Sequence, residues 1–339
     1  MSTPSENSGF SRRRFVERLA RGSVVAGAAA VARGALQAAE TNPFAYDVGP
    51  LAKTDPAWVN WHEVKRWSVG GRAPRRLAFG PGDVLHVAAE SQVLRFNREG
   101  AALPPLATTG AVTCVAVAGD GTVYASLRDH LEVFAPGGGR SAAWESPGPR
   151  TWISSLALGH GGLWAADSGA RVILRYDLGG KLLGRIGARE PGRNVPGLVV
   201  PSPFLDVKVH PDGLLRVNNP GRHRFEAYTA DGECEGTWGA PTAAIKGFCG
   251  CCNPIALAVL PDGRMVTCEK GLPRVKVYDA AGELAGVVAG TESFPANMKA
   301  GGAPGRGGLD AAVDSAGRVH VLDRVTATVH VFAPGKAGA

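Results

Sequence analysis

The 339-residue chain is poor in aromatic residues, 7% of the total, and has only three methionines. Long apolar runs are missing. Nothing approaches the roughly 20 uninterrupted apolar residues that a membrane helix needs, so a multi-span membrane protein is excluded. Glycine does not recur at every third position and no heptad is sustained, which excludes collagen and coiled coil. Excess charge of one sign is slight, with 37 Lys and Arg against 30 Asp and Glu. Much of that excess sits in residues 1–39, where Arg12, Arg13, Arg14, Arg18, Arg21 and Arg33 face only Glu6 and Glu17. No basic stripe with interleaved aromatics follows, so no nucleic-acid partner is expected. There is also no Ser/His/Asp order, no phosphate-binding loop and no dinucleotide fingerprint behind a strand.

Glycine and proline are abundant, at 47 and 24 residues. That marks a turn-rich chain rather than a disordered one. With 45% apolar residues at this length, a large core forms without disulfides or a partner. The chain also repeats itself. Segments 76–88, 114–126, 155–167, 206–218, 256–268 and 310–322 each read as apolar strand, glycine turn, apolar strand. Their turn glycines are Gly82, Gly121, Gly161, Gly213, Gly263 and Gly317. Asp-Gly between alternating apolar residues is a hairpin signal, because such turns need positive φ. A third strand follows each hairpin, and several units add a fourth. Six units of four short strands predict an all-β, six-bladed β-propeller. The sixth unit has no fourth strand after it, whereas Val64–Val69 precedes the first unit as an orphan. The expectation is that this N-terminal strand joins the last blade near Val329 and closes the ring, which removes a sheet edge.

The repeats resemble the NHL-type six-bladed propeller family over roughly residues 60–334. The carrying pieces are the pattern Pro-x-(x)-Ile/Leu-Ala-Val before the turn and Val-Tyr/Trp-Val-Ala-Asp after it, as in Leu163-Trp164-Ala165-Ala166-Asp167. Asp167 and Asp323 keep the acidic strand end, Asn219 and Glu269 modify it, and Ala89 and Leu127 lose it. The resemblance specifies a fold and leaves function open, since binding proteins, lyases and hydrolases share it. Ahead of the repeats, Ser11-Arg12-Arg13-Arg14-Phe15-Val16 resembles the twin-arginine export motif, a receptor-read address rather than an anchor. The weakly hydrophobic stretch 22–32 behind it is too short and glycine-rich to span a membrane. That resemblance implies a signal peptide over residues 1–39, export to the periplasm or beyond, and folding before export, often around a cofactor. Residues 40–56 then read as a surface tail and 57–335 as the propeller, expected to be monomeric.

Alternation along the inner strands assigns Leu77, Val115, Leu156, Val207, Leu257 and Ala311 to the space between blades. It turns Arg76, Cys114, Ser155, Asp206, Ala256 and Asp310 toward the axis. Ala78, Ala116, Ala157, Lys208, Ala258 and Ala312 follow one level below. Arg76, Asp206, Lys208 and Asp310 stand out among small residues. They either tie the blades together or form the polar floor of a ligand site.

Four of the six cysteines lie between 249 and 268, three of them in Phe248-Cys249-Gly250-Cys251-Cys252-Asn253-Pro254. This connector should run over the rim to the axial mouth, with Cys268 or Cys114 in reach. Three readings follow. The first is a disulfide, more naturally from Cys249 or Cys251 to Cys268 than between neighbours. The second is a soft-metal or iron–sulfur site on Cys249, Cys251, Cys252, Cys268 and Cys114. The third is a reactive or redox thiol pair. The ligand would be a small molecule or a redox partner protein. The histidines assemble no site, which disfavours a lyase with zinc on inner-rim histidines. An alternative is a lactonase-like or lyase-like enzyme using axial carboxylates, with Asp206, Asn218, Asn219, Glu269 and Asp310 available. A third alternative is an interaction platform with structural disulfides. Connectors 187–203 and 290–308 are expected to roof the same mouth.

Overall fold

The structure is a computed structural model that describes residues 49–70, 73–300 and 307–335. The arginine-rich segment expected to be an export leader, residues 1–39, lies outside these residues. Six four-stranded antiparallel sheets form the six blades of a propeller. Blades one to five occupy residues 74–107, 114–144, 153–186, 207–238 and 256–289. The sixth takes three strands from residues 309–334 and its outer strand from Trp61–Ser68. That strand runs antiparallel to Thr328–Pro334, with Trp67 opposite Val329 and a bulge between Glu63 and Lys65. The ring closes through the N-terminal strand, as its repeat pattern requires. Among the described residues, no helix is long and apolar enough to cross a membrane.

Closure buries six separate hydrophobic clusters, one at each junction between neighbouring blades. This corrects the expected division into axial and interblade residues. Leu156 packs toward blade two with Cys114 and Ala116, whereas its neighbour Ala157 packs toward blade four with Trp164 and Val207. Both faces of a blade are covered by other blades, so alternation sorts side chains between two junctions. The alanines Ala78, Ala116, Ala157, Ala258 and Ala312 are small because wedge-shaped junctions narrow toward the centre. Only at the starts of the inner strands do side chains meet across the axis.

The strand-end carboxylates are structural. Asp167 accepts from the backbone N–H groups of Trp152, Gly169 and Ala170. Asp323 accepts from Asn297 Nδ2 and from the N–H groups of Val325 and Thr326. Each holds a turn at the rim. His86, His320 and His330 are buried between sheets, with exposures of 4%, 5% and 5%. Burial pushes His86 down to about 4, so it stays neutral at ordinary pH.

Candidate functional site

Arg76, on the inner strand of blade one, crosses the axis. Its Nη1 donates to Asp206 of blade four at 3.0 Å and to Asp310 of blade six at 2.6 Å, while Nε donates to the Ser154 carbonyl of blade three at 3.0 Å. Asp310 also accepts from the Leu77 amide at 2.7 Å, and Asp206 from the Leu257 amide at 2.7 Å. Ser155 Oγ and Lys208 Nζ donate to the other Asp206 oxygen. One arginine and two carboxylates thus bind all the blades but the second into a closed network. Burial opposes the Arg76 charge, but Asp206 and Asp310 more than offset it and raise its pKa. Burial likewise opposes the Asp206 charge, yet Arg76 and Lys208 hold its carboxyl down at about 2.

Above this network lies a cavity of about 290 Å³, lined by Arg75, Arg76, Thr113, Trp152, Ser154, Pro203, Phe204, Gly307 and Arg324, among others. Arg76 is therefore the floor of the axial mouth as well as a tie between blades. The two long connectors reach it through Pro203 and Gly307, although Val195, Leu198 and Val200 of the first are core residues. A larger depression of about 940 Å³ lies on the surface between residues 49–53 and the short helix Pro295–Ala300, away from the axis.

The cysteines do not gather as a metal centre. Among the described residues, which include all six cysteines, no three His, Cys, Asp or Glu side chains come together to hold a metal ion. All six thiols are free, so the disulfides expected from Cys249 or Cys251 to Cys268 are not formed. Cys114 and Cys268 lie deep beside the axial network, with exposures of 1% and 0%. Burial pushes the Cys114 thiol up to about 12 despite Arg76, and raises Cys268 as well, helped by Asp310. Both pack in hydrophobic clusters at blade junctions. No cysteine lines the cavity.

Cys251 and Cys252 are different. Their sulfurs are 3.1 Å apart. Cys251 is exposed and Cys252 is buried. Ser202 Oγ finds no oxygen or nitrogen partner and sits beside the Cys252 sulfur. Burial opposes ionisation of Cys252, but hydrogen bonds from Lys270, Ser202 and Cys251 outweigh it and place its pKa below the ordinary thiol value. Cys251 is raised, chiefly by the hydrogen bond it gives to Cys252. Of the two sulfurs in contact, Cys252 is thus the more readily ionised and Cys251 the less. Lys270 also lies over the Phe204 ring, 4.9 Å from its centroid, and Phe204 walls the axial cavity. The sulfur pair therefore borders the mouth, one side chain away.

The connector that carries the pair is anchored from below. Lys276 Nζ donates to the carbonyls of Ile245 and Gly247 at 3.0 and 2.6 Å, and pairs with Glu269 at 2.8 Å. Arg274 grips the same carboxylate with two nitrogens and also reaches the Ala243 carbonyl at 3.2 Å. Cys249 lies near this cluster, and burial followed by Glu269 raises its pKa.

The lactonase-like set does not converge either. Asn218 holds the Asp206 amide and the Phe204 and Pro254 carbonyls. Asn219 is taken by Glu226, Gly197 and Val199. Glu269 sits in its own ion cluster, while Asp206 and Asp310 share Arg76 and are otherwise taken by their own separate donors.

The fold has relatives. A streptogramin B lyase structure is 11% identical with a TM-score of 0.57, covering 82% of this chain and 99% of its own. A catalytically inactive His-to-Ala variant of virginiamycin B lyase from Staphylococcus aureus, with quinupristin, is 13% identical at a TM-score of 0.53, covering 80% and 88%. A chain from a mitotic checkpoint complex is 12% identical at 0.54, covering 92% and 100%. At these identities the likeness is one of fold alone. No protein-family model and no curated protein matches the sequence.

Proposed function

We propose that this chain is an exported binding propeller of NHL type whose axial mouth is bordered by a redox-active cysteine pair. The observation that carries the reading is the 3.1 Å approach of Cys251 and Cys252 beside Lys270 at the cavity wall. The accessible Cys251 loses its proton to water and attacks one sulfur of a disulfide ligand, whose other half leaves as thiolate. Cys252 then loses its own proton to water and attacks the Cys251 sulfur, releasing the second half as thiolate, and the two protons balance the two thiolates. The protein pair is oxidised by two electrons and the ligand disulfide is reduced to two thiols. The soft-metal alternative is dropped because the sulfurs do not converge.

Glutathione disulfide at neutral pH tests this on the full chain. The parent should lose two thiols with no gain in mass from glutathione. Cys252→Ser should instead stop at a glutathione adduct on Cys251. Retention of all six thiols by the parent would sink the reading. A lyase reading has only the fold behind it. A His-to-Ala variant of virginiamycin B lyase is inactive, whereas no histidine lines the cavity here.

Export is tested apart from the thiols. Replacing Arg12 and Arg13 by lysine should keep the protein, followed by cell fractionation, in the cytoplasm at its unprocessed mass. Equal processing of the parent and the lysine variant would remove the twin-arginine assignment.

A further inference from the structure

The axial cavity carries a charge imbalance that the thiol reading leaves unused. Among the described residues, its lining contains three arginines and no acidic residue. Arg76 is neutralised by Asp206 and Asp310. Arg75 and Arg324 have no carboxylate within ion-pair distance among the described residues. The Arg324 Nε is buried and makes no hydrogen bond. An orphaned guanidinium nitrogen is costly unless something accepts from it. Its charge is further strained by its setting: burial first, then Arg76 and Arg75, lower its pKa to about 10, and Asp310 only partly compensates.

The walls add a second requirement. Phe204 and Trp152 both face the cavity. Arg324 lies over the Phe204 ring at 5.6 Å, and Arg128 over the Trp152 ring at 4.6 Å. Aromatic walls under cations suit a flat apolar body with an anionic end. A guanidinium fork matches a carboxylate in two parallel hydrogen bonds. At about 290 Å³ the space is at the small end for ligand sites, which rules out large occupants.

We infer that the axial mouth is a binding site for a small carboxylate on a flat apolar body, with Arg324 and Arg75 holding the carboxylate and Trp152 and Phe204 flanking the body. The inference does not depend on the sulfur pair, and it holds equally for a protein whose cysteines are inert.

Calorimetric titration of the full-length chain with benzoate tests it, with benzamide as the uncharged isostere. Benzoate should bind roughly tenfold or more tightly than benzamide. Arg324→Gln should weaken benzoate by a similar factor while leaving benzamide unchanged, and Arg75→Gln should weaken it less. Because Arg324→Gln removes a partly buried charge whose Nε has no partner, the unliganded variant should melt at or above the parent's temperature. Equal affinity for benzoate and benzamide overturns the inference. So does an Arg324→Gln variant that keeps full benzoate affinity or that melts well below the parent, since the arginine is then a structural tie. Tighter binding of inorganic phosphate than of benzoate overturns the choice of a carboxylate on an apolar body. Failure of the glutathione experiment leaves this outcome untouched, and the reverse also holds.

Discussion

Arg76→Ala should cost about 3–5 kcal/mol of folding free energy, more than a typical core truncation, read as a lower urea midpoint. The cause lies in what remains behind. Asp206 and Asp310 are 0% and 2% exposed, and Arg76 is their shared cation. Without it, two carboxylates face each other across a dry axis. Adding Asp206→Asn and Asp310→Asn to Arg76→Ala should restore part of the loss, because amides carry no charge to bury. If the triple variant is no more stable than the single one, the axial network is not what holds the ring.

The same network sets an acid limit. Asp206 is held at about 2 in the folded chain against an ordinary value of 3.8. Its charged form is therefore favoured by folding. That contribution is fully present above about pH 4 and disappears as pH falls toward 2, for a total of about 2 kcal/mol. Arg76→Ala removes the largest force holding the pKa down, so the variant should lose less stability than the parent over that window. Asp314, also near 2 through His320 and Arg318, titrates in both proteins and cancels in the comparison.

The ring was legible in the sequence because propeller blades are local. Each hairpin places its strands next to each other, and the Asp-Gly and Gly-containing turns fix where the chain reverses. Even the closing strand could be placed, since one unit lacked a fourth strand and one segment had no blade. Facing was harder. Period-two alternation gives two faces, but a blade buried on both sides offers no polar face to say which is which. The axial meeting of Arg76, Asp206 and Asp310 was found because charges among alanines stand out, whereas their mutual saturation depends on distances across the ring.

The sulfur cluster divided in a way that spacing does not encode. Cys268 and Cys114 occupy strand positions that point into blade junctions, so even Cys268, in the same blade as the connector, is remote from it in chemistry. Lys270 and Ser202, which tune Cys252, come from separate blades. Arg324 follows a strand-end Asp in an ordinary turn, and nothing local marks it as a cavity residue. With Asp323 next to it in sequence, it reads as one ordinary charge among 37 basic residues.

Glu269→Gln should be the other severe substitution, costing about 3–5 kcal/mol, because it strands two cations that are 2% and 0% exposed. Burial already pushes Lys276 down to about 8, with Glu269 as its main support, so loss of that carboxylate moves it lower still. A neutral Lys276 holds the Ile245 and Gly247 carbonyls less strongly, and Arg274 loses the carboxylate that aims it at Ala243. The connector bearing the cysteines then loosens. Cys249 responds twice: it becomes more accessible, and without the nearby negative charge its thiol ionises more readily. Iodoacetamide labelling followed by peptide mass spectrometry should show faster modification of Cys249 in Glu269→Gln than in the parent, with Cys114 and Cys268 still protected under native conditions. Adding Lys276→Met to Glu269→Gln should recover stability, since a buried ion pair replaced by apolar bulk is often neutral or better. Unchanged Cys249 labelling in a destabilised Glu269→Gln variant would mean that the ion cluster supports the blade without positioning the sulfur-bearing connector.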